Sequence, residues 1–246
     1  MTLDALPAHS GGAENLARLL ARALLAGHWQ PGCIFPKELD ISQHFSVSRN
    51  QVRNALASLS GAGLLERTAG RGTRVRAMGD WHLLDPLMSG WMTGLVDLDP
   101  KLVRAIYAFR FSAEPLVAGL AAQAASVEDI QRLEAAFAGM QRSAEQPDAR
   151  PQHIEYDVAF HDVIYQATHN LVWRQMGYLL RPSIMALVHR SQHDIGTLDD
   201  SLARHGHVLE AIRAGDVIAA ETAAREVLRR TATDLGIVAD TPSNPL

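Results

Sequence analysis

The sequence predicts a mainly α protein in two parts, an N-terminal winged helix-turn-helix and a C-terminal all-helical bundle. Three observations predict it. Apolar residues recur at helical spacing along almost the whole chain. The helical stretch SVSRNQVRNALASL (46–59) is followed closely by LLERTAGRGTRVRA (64–77), which reads as a hairpin with a Gly-Arg-Gly turn. The charge also changes sign: from Met1 to Met78 nine Lys and Arg stand against five Asp and Glu, net +4, and the remainder is −8 in a chain of net charge −4.

With 246 residues, 47% hydrophobic and 20% charged, the chain has ample material for a core and does not resemble a disordered sequence. Cys33 is the only cysteine, which excludes an internal disulfide, and MTLDALPAHS lacks the basic and apolar regions of a signal peptide. Apolar runs break well before about 18 residues, which excludes a membrane-spanning segment. The expectation is a cytoplasmic protein with no membrane partner.

The first 78 residues justify the winged motif element by element. In ENLARLLARALLAGHW, Leu16, Leu19, Leu20, Ala23 and Leu24 share a face, and Gly27 with Pro31-Gly32 ends the helix. In FPKELDISQHF, Pro36 suits a first turn, Glu38 and Asp40 sit at the positive end of the dipole, and Leu39, Ile41 and Phe45 supply apolar contacts. Ser46-Val47-Ser48 makes a turn, Ser48 caps the third helix, and Val52, Leu56 and Leu59 form its buried stripe. The hairpin around Ala69 to Gly72 is the wing.

Arg49 and Arg53 then lie four apart on the exposed face of the third helix. A helix entering the major groove there can bond guanine O6 and N7 through arginine. Ser48, Asn50 and Gln51 suit phosphate or base contacts, Lys37 a phosphate contact, and Arg71, Gly72 and Arg74 place the wing on the DNA backbone. The alternative for all of them is a solvated basic face.

Residues 79–99 are expected to be a linker with a short helix, Trp81, Leu84, Leu87 and Trp91 packing on both parts and Ala77 to Leu87 acting as hinge. Residues 100–238 form the helical domain, with helices at about 101–125, 127–143, 154–167, 171–188, 201–214 and 217–235, a polar loop at Pro147 to Pro151, and a flexible tail at 239–246. Asp157 and His161 in YDVAFHDVIYQATHN share a helix face, where a carboxylate and an imidazole can bind one cation. His205 is a third candidate. Two ligands at one spacing make a weak site, and a lone histidine is more often a surface or hydrogen-bonded core residue. Arg110 and Glu114 read as an intrahelical pair, worth about 0.3 to 0.5 kcal/mol on a surface.

The stretch PKELDISQHFSVSRNQVRNALASLSGAGLLERTAGRGTRV resembles the DNA-binding module of the GntR family of bacterial transcription factors, through VSR, VR-x-AL, the GLL segment and the wing glycine. Residues from about Lys101 to Leu235 resemble the FCD effector domain of its FadR-like subgroup. The W-x-L-L-D-P-x-x-x-x-W linker is most similar to the galactonate-operon repressor type. The resemblance implies operator contacts by Arg49 and Arg53, with Leu39 where the family carries a third arginine. It implies a divalent metal (Zn, Ni or Mn) on Asp157, His161 and His205, with Val227 where a fourth ligand, histidine, is usual. Arg110, Asp157, His161 and His205 would together bind an organic-acid effector, of which a sugar acid is favoured. It also implies a homodimer on double-stranded DNA carrying a short inverted repeat of the TnGTnnnACnA kind.

These expectations describe a ligand-responsive transcription regulator without catalysis, more readily a repressor than an activator. Two other readings stay open. A metal-dependent enzyme would use the same three ligands to activate water, although no general base or nucleophile motif accompanies them. A constitutive DNA-binding protein would use the helical domain only as structure.

Overall fold

A computed structural model describes residues 3–9, 11–68, 70, 72–95, 97–146, 149–191 and 198–237. The elements run α1 (Ala13–Leu25), α2 (Glu38–His44), α3 (Arg49–Gly61), β1 (Leu65–Thr68), β2 (Gly72–Val75), α4 (Pro86–Met92), α5 (Pro100–Ala124), α6 (Val127–Ala144), α7 (Arg150–Ala167), α8 (Leu171–Ser191), α9 (Leu198–Arg213) and α10 (Val217–Asp234). The chain divides into two compact units, Met1–Leu102 and Val103–Leu246. The division falls in the first turn of α5.

In the first unit the predicted stripes meet. Leu16, Leu20 and Leu24 of α1, Ile41 of α2, and Val52, Leu56 and Leu59 of α3 are all fully buried, and α3 packs on both other helices. Each such side chain stabilises the unit by about 1.5 to 3 kcal/mol relative to exposure. Ser46 turns the chain at a φ of +53°, and Ser48 with Gln51 forms a capping box on α3. Pro36 lies before α2, whose N-cap is Lys37. β1 and β2 pair antiparallel, Leu65 opposite Val75 and Thr68 opposite Gly72, so one buried pair anchors the base of the wing. Gly63, between α3 and β1, has a φ of +77°, and a Cβ there would come within 2.4 Å of the Asp80 carbonyl oxygen. No other residue fits that approach.

Residues 79–95 and 97–99 carry the expected short helix and are bonded into the first unit. Trp81 and Trp91 are buried while Leu84 and Leu87 are about half exposed. The His82 amide bonds the Ala62 carbonyl at 3.0 Å and the Asp99 amide bonds the Leu25 carbonyl at 2.8 Å. Arg22 on α1 donates to the Thr93 and Gly94 carbonyls at 3.2 and 2.8 Å. The expected hinge at Ala77 to Leu87 thus has backbone and indole bonds to the unit it follows, Trp81 Nε1 donating to the Arg76 carbonyl at 3.2 Å.

The second unit is a bundle of α5 to α10. Its core includes Val117 and Ala121 of α5, Leu133 and Met140 of α6, Val158 and Phe160 of α7, Val208 and Ile212 of α9, and Ala220 and Val227 of α10. The loop expected at Pro147 to Pro151 is shorter than predicted, because α7 begins at Arg150 with Pro151 in its first turn, where a missing N–H costs no helical bond. The expected tail, 239–246, lies outside the described residues. No helix among the described residues is long and apolar enough to cross a membrane.

Candidate functional site

On the first unit, Arg49, Asn50 and Arg53 are exposed on α3, opposite its buried stripe. Arg49 makes no ion pair among the described residues. Ser48 and Gln51 are committed to each other: the Gln51 amide donates to Ser48 Oγ at 3.3 Å and Gln51 Oε1 accepts from the Ser48 amide at 3.0 Å. They therefore fix the start of α3 before they can touch anything else. Lys37 is exposed at the head of α2. Arg74 on β2 donates to the Gly32 carbonyl at 2.8 Å, Gly72 is exposed at the wing turn with a φ of +81°, and Arg71 lies outside the described residues. Leu39 is exposed.

On the second unit, α7 and α9 bring Asp157, His161 and His205 together, all buried, with one ligand atom from each within 4.8 Å of the others. His161 Nε2 stands 3.5 Å from Asp157 Oδ1, and His205 Nε2 stands 3.9 Å from Asp157 Oδ2. The second nitrogen of each ring is occupied. His205 Nδ1 donates to the Ser201 carbonyl at 2.8 Å, and His161 Nδ1 donates to Glu114 Oε2 at 3.3 Å. Both rings are thereby held with Nε2 as the lone-pair nitrogen, the tautomer of a metal ligand. Burial, first of all, lowers the pKa of His205, which keeps that imidazole neutral. Its Nε2 has no hydrogen-bond partner.

His161 and His205 border a cavity of about 10 Å³ between α5, α7, α9 and α10. That is room for about one water-sized species. Glu114, Tyr165 and Val227 line it with His161 and His205. Arg110 is not among the residues that line it: its guanidinium is fully buried, Nε donating to Glu114 at 2.6 Å and Nη2 at 3.3 Å, while Nη1 has no hydrogen-bond partner among the described residues. Burial raises the pKa of the Glu114 carboxyl, but Arg110 and then His161 outweigh it and hold the group at about 2. An ion pair of this kind is a fixed part of the interior, not the surface pair its spacing suggested.

The FCD domain family matches residues 105–230 and the family "Bacterial regulatory proteins, gntR family" matches residues 13–75. The chain belongs to the GntR family. Among its relatives, the galactonate operon transcriptional repressor of Escherichia coli (strain K12) is 30% identical over 212 residues, covering 86% of this chain and 91% of that protein. The Glc operon transcriptional activator of the same strain is 25% identical over 228 residues, covering 90% and 88%. Among solved structures, Lar, which controls the expression of the Listeria monocytogenes agr system, superposes with a TM-score of 0.61 at 14% identity, covering 94% of this chain and 99% of that one. This last likeness concerns the fold alone.

As a GntR-family protein with an FCD domain, the chain is a transcriptional regulator and not an enzyme. Regulators of this family bind DNA, and an effector through the FCD domain, typically as dimers. Two site-lining residues of this GntR-family chain escaped sequence reading. Glu114 was visible only as the partner of Arg110, with nothing to show its bond to His161 across helices. Tyr165 could have been found, since Asp157, His161 and Tyr165 continue one i, i+4 stripe on α7. Its hydroxyl is buried without a hydrogen-bond partner, and burial and then the Glu114 charge push its pKa up, so it remains a neutral donor.

Proposed function

We propose that the protein is a homodimeric, metal-dependent repressor that releases its operator when a sugar acid binds the FCD unit. One observation carries the ligand half of this reading: two buried imidazoles with their Nδ1 atoms engaged leave two Nε2 atoms and the Asp157 carboxylate converging on one point. That donor set suits Zn, Ni or Mn. Asp157, His161 and His205 would hold the ion, which when bound supplies open positions for carboxylate and hydroxyl oxygens. The galactonate named for one relative is a 2-hydroxy carboxylate, able to present both. The 10 Å³ cavity is far smaller than such an acid, so side chains must move on binding, and that displacement is what could reach the DNA-binding unit.

For the DNA half, exposed Arg49 and Arg53 on α3 support major-groove reading, with Lys37 and Arg74 beside phosphates. Two-fold pairing on an inverted repeat doubles the few base contacts one module can make. Ser48, Asn50, Gln51, Arg71 and Gly72 would serve contacts to the DNA backbone beside them.

Calorimetry on chelator-stripped protein, titrated with each metal and with galactonate, tests the site. Metal and acid must raise each other's affinity by one factor, His161→Ala and His205→Ala must lose metal binding, and Val227→His, which enters the same cavity, should tighten it by about tenfold or more. No binding of any of the three metals would make the three residues structural. Galactonate that leaves affinity for the protein's own upstream DNA unchanged would remove the sugar-acid response.

A further inference from the structure

The α3 surface holds a carboxylate where a polyanion is expected to lie. Glu38 opens α2, its side chain 24% exposed, and two arginines from different elements converge on it. Arg53 of α3 donates Nε–H to Glu38 Oε2 at 3.1 Å, and Arg67 of β1 donates Nη2–H to Glu38 Oε1. One carboxylate thus joins α2, the recognition helix and the wing. Its two arginines leave the cluster one positive charge in excess, so it does not repel DNA as a lone glutamate would.

The bond from Arg53 decides what that side chain can still do. A guanidinium can grip O6 and N7 of guanine through Nε and one Nη, or end-on through both Nη groups. With Nε committed to Glu38, the end-on pair remains, and the plane of the group is set before DNA arrives. Arg49, one turn earlier, has no such tether. A recognition helix with one oriented and one unrestrained arginine should read its two bases with unequal stringency.

We propose that Glu38 is a positioning residue for operator recognition, holding Arg53 end-on toward a guanine, with Arg67 as the second cation that makes a carboxylate tolerable beside phosphates. This rests on the reading of α3 as the groove-entering helix. Orientation ahead of binding removes part of the entropy of ordering a long side chain, so the loss of Glu38 should appear in base discrimination more than in bulk affinity.

The test uses full-length protein and a duplex enriched by the wild type from a random library. Each guanine of that duplex is replaced in turn by 7-deazaguanine, which lacks the N7 acceptor. The wild type should weaken roughly tenfold at one guanine, and Arg53→Ala should be indifferent there. Glu38→Met, of similar length but without an acceptor, should lose most of this discrimination while binding a scrambled duplex within about twofold of wild type. Glu38→Gln, which keeps one acceptor oxygen, should recover part of it. In an Arg53→Ala background Glu38→Met should add no further loss of discrimination. Wild-type sensitivity in Glu38→Met, or losses that add in the double variant, would overturn the positioning role. Should the Met variant melt early, the Gln variant decides alone: partial loss supports the role and wild-type discrimination overturns it. If Arg49→Ala and Arg53→Ala both bind the enriched duplex like wild type, the reading of α3 falls with it; if they fail to bind while Glu38→Met and Glu38→Gln discriminate normally, only the positioning role falls.

Discussion

Glu114 and Glu38 each accept hydrogen bonds from two side chains, yet they do different work because water reaches one and not the other. Glu114 lies in the interior of the second unit between Arg110 and His161, with both members of its arginine pair almost completely buried. Glu38 lies on the first unit between Arg53 and Arg67, whose side chains are 62% and 44% exposed. Removing charge from water is expensive, so the buried pair persists only because each partner leaves the other no alternative. In water the same pair is screened and weak. The buried trio therefore holds a site in shape, while the exposed trio can orient Arg53 without being needed to hold the fold.

The comparison breaks most readily at Glu114. Glu114→Gln leaves Arg110 charged and without its counter-ion in the core, a change expected to cost about 3 to 5 kcal/mol and to lower the melting temperature of the second unit by roughly 10 °C. Thermal unfolding followed by circular dichroism measures it. A drop of only a degree or two would mean that water reaches Arg110 and that the two trios are alike. Arg110→Met with Glu114→Leu, which removes both charges at once, should recover most of the loss.

What could be read from residue order divides along the same line. The winged module was legible down to its cap because its signals are local: Ser48 three residues before Gln51, the Val52, Leu56, Leu59 stripe, and glycines flanking Arg71. The metal candidates Asp157 and His161 were legible for the same reason, being one turn apart. His205 could be named as a third candidate but not joined to the pair, since a contact between α7 and α9 leaves no spacing signature. For Arg110, spacing shows that it can reach Glu114, and not that both are buried or that Glu114 also bonds His161. The Arg67 bond to Glu38 was equally invisible, as 29 residues separate the partners. The start of α7 was missed because Pro151 reads as a loop residue until it is seen at a helix N-terminus.

A third carboxylate sharpens the comparison by lying between the extremes. Asp129 is itself buried, but its partners Arg132 and His169 are 42% and 54% exposed. Burial raises its pKa, while the Ser126 hydroxyl and amide of the α6 capping box, with Arg132, outweigh that and hold it at about 2 against an ordinary 3.8. A carboxyl with a lower pKa folded than unfolded adds stability above its unfolded value, and that stability is lost as the pH falls toward the folded one. Asp129→Asn should therefore cost on the order of 1 kcal/mol at neutral pH and flatten the decline in stability between about pH 4 and pH 2. Urea unfolding at several pH values shows whether it does. An unchanged slope in that window would mean that Asp129 behaves like a surface group, despite its burial.

The smallest effect belongs to Glu38, and its smallness is the point. Arg53 and Arg67 are about half in water, so the pairs they make gain little Coulomb energy and must overcome the entropy of holding two long side chains in one geometry. Glu38→Gln should thus change the stability of the first unit by less than about 1 kcal/mol, and adding salt should shrink even that difference. The substitution is chemically the same as Glu114→Gln and differs only in its access to water. Melting curves of both variants at low and high salt place the two carboxylates on one scale: Glu114→Gln should remain costly at either salt concentration, whereas Glu38→Gln should approach wild type as salt is added. If Glu38→Gln proves as destabilising as Glu114→Gln, the Arg53 and Arg67 bonds are holding α2, α3 and the wing together. Arg53 would then be bound too firmly into the fold to adjust to a base, and the contrast between an interior that fixes and a surface that reads would fail at the residue chosen to represent the surface.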